Sequence, residues 1–74
     1  MKYEELKIAR AICGIRQKDL ANLIGQTQSN YSTKENGQVA FSLEEGLKIH
    51  KEINKVLISK GRPTLTMEDL FFRQ

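Results

Sequence analysis

Gln28, Ser29, Ser32 and Thr33 place one amide and three hydroxyls within six residues, at a spacing that puts all four on one face of a helix. Such groups do no covalent chemistry without an activating partner. They offer a row of hydrogen-bond donors and acceptors. They lie in GQTQSNYSTKENG, residues 25–37, where only Tyr31 is large and partly apolar. No acidic residue occurs between Asp19 and Glu35, while Lys18 and Lys34 edge that gap and Arg16 lies just before it. An acid-free polar segment bordered by cations is what a surface facing a polyanion needs.

The rest of the chain supplies no catalytic or ligating set. One cysteine allows no intramolecular disulfide and no thiolate cluster for zinc, and the single histidine, His50, has no second ligand beside it. No nucleophile–base arrangement, carboxylate pair or phosphate-cradling loop occurs, so neither an enzyme nor a metal or cofactor is expected. The N-terminal MKYEELKIAR is charged rather than signal-like. No stretch reaches the roughly 18 apolar residues of a membrane span. With 74 residues and a net charge of +3, the expectation is a single domain over residues 1–74, cytoplasmic and without a small-molecule ligand.

Positioning that polar row requires helices. Leu6, Ala9, Ile12 and Cys13 recur at spacings of three and four and predict a helix over residues 3–13, ended by Gly14. Cys13 reads as a buried small hydrophobe. A second helix over 17–24 carries Leu20, Ala21, Leu23 and Ile24, and Gly25 stops it. Thr27 can cap a third over 28–35 by accepting from the Asn30 N–H, and Asn36-Gly37 closes it. Eight residues with one apolar anchor are not helical alone, so this helix must pack on the second. Ser42 and Glu45 form a capping box opening a fourth helix, with Leu47, His50, Ile53, Asn54, Leu57 and Ile58 inward and Lys48, Lys51 and Lys55 solvated. After Gly61-Arg62-Pro63, Thr66 and Asp69 repeat the capping pattern before Met67, Leu70 and Phe71. Because Phe71 and Phe72 adjoin, one must face outward. Thr64-Leu65-Thr66 reads as extended at most.

Gln17-Lys18-Asp19-Leu20-Ala21, Gly25, Ser29, Tyr31, Ser32 and Glu35-Asn36-Gly37, in this order and spacing, resemble the Cro/cI-type helix-turn-helix domain of phage repressors and bacterial regulators, the xenobiotic-response-element family. Ser42-Leu43-Glu44 and Glu68-Asp69-Leu70-Phe71 match its later helix starts, so the likeness covers nearly the whole chain. It implies an all-α, five-helix, lambda-repressor-like fold with helices two and three as the helix-turn-helix. It also implies a repressor-like transcriptional regulator of phage or bacterial origin, reading double-stranded DNA as a homodimer. By that analogy Gln28 stands at the first base-reading position of helix three, with Ser29, Ser32 and Thr33 on the same face. Gln17, Arg16, Lys18, Asn36 and the Gly37 amide fall at phosphate positions, and Arg10 and Glu35 at a structural ion pair.

Four departures stand out. Arg16 replaces the usual Ser or Thr before helix two, costing a side-chain cap. Gln26 occupies a place often apolar. Lys34 stands where a bulky apolar side chain is usual, and must snorkel or reach a phosphate. The connection from Asn54 to Thr66 is longer than the family's. These leave a rival reading: a protein-binding module of the same fold, such as an antirepressor, partner subunit or antitoxin, with weak DNA binding of its own.

Overall fold

Short amphipathic segments and strong stop signals dictate the architecture. The computed structural model describes residues 3–72. Four α-helices, α1 (Glu4–Cys13), α2 (Gln17–Leu23), α3 (Gln28–Glu35) and α4 (Leu43–Ser59), are followed by α5, one widened π-type turn (Glu68–Phe72). No strand occurs among the described residues, and 64–66 carry no regular secondary structure. The radius of gyration, 11.2 Å, matches the value of about 11 Å for a folded chain of this length.

α1 packs on α4 and α5, and α2 on α3 and α4. Their shared core holds Leu6, Ala9 and Cys13 of α1, Leu20 and Ala21 of α2, Tyr31 of α3, Ile49, Ile53 and Leu57 of α4, and Leu70 and Phe71 of α5. Phe41 lies edge-on to Tyr3 and Phe71 at 5.2 and 5.5 Å, and is tilted against Tyr31 at 5.7 Å. These rings join the chain's two ends to α3. Gly25 has φ +72°, a conformation that costs another residue about 1–2 kcal/mol. There the Gln26 N–H donates to Ala21 O at 2.8 Å and the Gly25 N–H to Asn22 O at 3.2 Å. This closing pattern ends α2 and redirects the chain within four residues into α3.

Several sequence expectations need correction. Ile12 and Leu23 are exposed, so the inward stripe of α1 is Leu6, Ala9 and Cys13, and Ile24 caps α2 rather than extending it. In α4 the buried stripe is Gly46, Ile49, Ile53 and Leu57, whereas Leu47 and Ile58 are 49% and 65% exposed. The adjoining phenylalanines divide as expected, Phe71 inward and Phe72 outward. Arg16 offers no oxygen to cap α2. Instead the Asp19 carboxylate reaches back to the Arg16 backbone N–H at 3.0 Å.

Candidate nucleic-acid interface

The polar face of α3 stands on a buried carboxylate. Glu35, fully buried in the last turn of α3, accepts from Arg10 Nε at 3.0 Å and Nη2 at 3.1 Å, from Gln17 Nε2 at 3.0 Å and from the Tyr31 hydroxyl at 2.8 Å. A buried carboxylate is tolerable only when paired and hydrogen-bonded in this way. Arg10 also donates from Nη1 to Ile15 O at 3.2 Å. One charge cluster therefore joins α1, the α1–α2 connection, α2 and α3. Burial first, then the neighbouring Glu35 charge, push the Tyr31 phenol far above its ordinary value. The expected Arg10–Glu35 pair forms; Gln17 and Tyr31 complete it.

Above this support, Gln28, Ser29, Ser32 and Thr33 share the outward face of α3 and line one shallow depression with Gln17, Asn36 and Gln38. Gln28 and Ser29 are exposed and Ser32 half-buried. Among the described residues, the side chains of Gln28, Ser29 and Ser32 have no intramolecular hydrogen-bond partner. Thr33 differs, because its hydroxyl donates to Ser29 O at 3.0 Å. It keeps only acceptor lone pairs and a methyl for a partner. Thr27 caps the helix, accepting from the Asn30 N–H at 3.1 Å.

The five residues expected at phosphates divide. Lys18 is exposed. Arg16 is exposed but forks onto Asp19 through Nε at 3.2 Å and Nη2 at 3.1 Å, and this bond is the main reason the Asp19 carboxyl lies below its usual range. Gln17 has one amide proton on Glu35 and one left. Asn36 Oδ1 accepts from Lys7 Nζ at 3.1 Å, which turns its Nδ2 donor the other way. The Gly37 amide is a correction: it donates to Lys34 O at 2.9 Å in the closure of α3, and is not available to an outside anion.

Lys34 does not join the face. Its Nζ lies 2.8 Å from Glu45 Oε1, with both side chains 14% exposed. Burial acts to raise the Glu45 carboxyl, but hydrogen bonds from Lys34 and from the Ser42 N–H outweigh it and hold the group below its usual range. α3 is thereby tied to the first turn of α4. Two residues of this region escaped the sequence reading. Gln38 follows directly on the Gly37 stop. Lys7 lies one turn before Arg10 on α1, and that spacing from a residue already expected to reach α3 was the available signal.

No family model, curated protein or solved structure matches this chain. Among the described residues no group of His, Cys, Asp and Glu could hold a metal ion, and no helix is long and apolar enough to cross a membrane.

Proposed function

We propose that the chain is a sequence-specific, double-stranded DNA-binding transcriptional regulator of repressor type, with α2 and α3 as a helix-turn-helix and α3 in the major groove. One observation carries this reading. Gln28, Ser29 and Ser32 on the outward face of α3 keep their side-chain hydrogen-bonding groups unpartnered, while the base of the same helix is anchored by the buried Glu35 cluster. A helix whose polar face is left open and whose angle is held fixed suits the reading of base edges. Gln28 is the principal reader, since its amide matches the N6 and N7 edge of adenine. Ser29 and Ser32 add shorter contacts, and Thr33 presents its methyl to thymine. Lys18, Arg16 and the Asn36 and Gln17 amides lie toward the backbone.

So few base contacts in one copy require two. The protein acts in the cytoplasm as a homodimer on half-sites about one helical turn apart. Selection of binding sites from a random duplex pool tests both statements, because the expected product is a two-fold palindrome. Gln28→Ala should relax preference at one base pair of each half-site and cost roughly 1–3 kcal/mol there. Unchanged preference at every position, or no duplex binding even at low salt, would refute the reading.

A further inference from the structure

The second half of α4 and residues 64–67 enclose an open groove that shares no lining residue with the α3 face. Its apolar wall comes from Ile58, Leu65 and Met67, and Lys51 and Lys55 stand in its lining. It is built rather than accidental. Asn54 Oδ1 accepts from the Leu65 N–H at 2.8 Å, and Asn54 Nδ2 donates back to Leu65 O, also at 2.8 Å. His50 Nε2 lies 2.9 Å from the same carbonyl and 3.0 Å from Asn54 Nδ2. Both backbone groups of Leu65 are thus clamped to α4, as a strand partner would clamp them.

Apolar surface then remains uncovered beside fixed positive charge. Ile58 is 65% exposed, and Leu47, one turn before Lys51, continues the stripe at 49%. Lys48 pairs with Glu44 at 3.5 Å. Among the described residues, Lys51 and Lys55 form no ion pair. A second copy seated here about a two-fold axis would set the same lysines against each other, and like charges facing across an interface are costly.

We propose that this groove is a docking site for a protein segment of complementary chemistry: an amphipathic helix whose apolar stripe lies on Ile58, Leu65 and Met67, with Asp and Glu flanking it to meet Lys51 and Lys55. Two turns of α4, His50 to Ile58, are the length over which such a helix engages through side chains at i, i+3, i+4 and i+7. The groove shares no lining residue with the α3 face, so it works with or without DNA bound.

The probe is a synthetic amphipathic peptide of about four helical turns, with leucine and phenylalanine on one face and glutamate and aspartate on the other. Its control carries lysine at every acidic position. Titrated into the isotope-labelled full chain, the acidic peptide should give saturable amide shifts confined to residues 47–67, weakening as salt rises. The lysine peptide should give none. Ile58→Glu, at an exposed position, should leave the circular dichroism spectrum unchanged and weaken binding about tenfold or more. Lys51→Glu with Lys55→Glu should reverse the preference toward the lysine peptide. Four results would overturn the proposal: no saturable shifts, shifts on α3, equal binding of both peptides, or a wild-type dimer made monomeric by Ile58→Glu. A loss of duplex affinity in the double lysine variant would likewise assign the lysines to DNA instead. Failure of DNA binding by the wild type leaves the peptide result standing.

Discussion

Glu35 is the residue on which the candidate site depends, since its four hydrogen bonds draw Arg10, Gln17 and Tyr31 to one point. Glu35→Gln keeps the shape and leaves the Arg10 charge uncompensated. Breaking one side of a buried pair costs about 3–5 kcal/mol. Because Arg10 is 20% exposed, a loss near 3 is expected, from a total on the order of 5 kcal/mol. Urea unfolding measures it, and adding Arg10→Met should restore part of the loss; a drop below about 1 kcal/mol would contradict this role. Tyr31 adds an alkaline dependence. Its phenol is raised in the folded chain, so above the unfolded value of about 10 the unfolded chain loses a proton that the native chain keeps. Stability therefore holds below pH 10 and falls above it, by up to about 1.4 kcal/mol per pH unit from this group. In Tyr31→Phe that part of the slope should vanish, as denaturant midpoints between pH 9.5 and 11.5 would reveal (roughly the window of tyrosine ionisation). Arg10 with Glu35 was legible from the likeness to a known pattern. The partner of Lys34 was not: Glu45 already had a role in the Ser42 capping box, and nothing local announces a carboxylate's second partner.

Elements show where periodicity succeeds and where it fails. The helix stops were plain, because Gly14, Gly25 and Gly37 interrupt the apolar rhythm and each takes a positive φ. The facing of α4 was not. Two stripes lie about one residue apart, Gly46-Ile49-Ile53-Leu57 and Leu47-His50-Asn54-Ile58, and the expected inward face drew on both, because Leu47 and Ile58 are as apolar as the Ile53 and Leu57 beside them. The first is inward since Gly46 lets Met67 and Phe71 approach: a Cβ there would lie 3.1 Å from Met67 Cε. This leaves Asn54 on the flank, where it clamps Leu65 and holds the long connection to α5. Asn54→Ala removes both bonds and strands the Leu65 backbone N–H, at about 1–3 kcal/mol. Hydrogen exchange offers the sharper check: the Leu65 amide should lose its protection while Ile53 and Leu57 amides slow or quicken only with global stability. Retained protection at Leu65 would show that the loop is held by other means.

At the scale of the whole molecule, net charge says little and pairing says more. The chain carries +3, yet Arg10, Arg16, Lys34 and Lys48 all sit against carboxylates. Lys18 and Lys34 look equivalent in sequence, two cations edging an acid-free segment. In the fold Lys34 is tucked against Glu45, whereas Lys18 is exposed on α2 beside the α3 face. Lys18→Gln and Lys34→Gln each change the net charge by the same single unit. If the protein attracts DNA only through its overall field, both variants should weaken binding alike, because charges beyond a Debye length of roughly 8–10 Å are screened regardless of position. If affinity comes from displaced counterions at contacted phosphates, the two part company. Lys18→Gln should weaken every duplex to a similar degree and reduce the slope of log K against log salt by about one per protomer. Lys34→Gln should leave that slope unchanged and instead lower the unfolding midpoint, because Glu45 loses the partner that offsets its burial. Anisotropy titrations of both variants over a range of salt distinguish the cases. Equal slopes for the two would remove Lys18 from the interface, and a reduced slope for Lys34→Gln alone would mean that its bond to Glu45 opens to reach a phosphate.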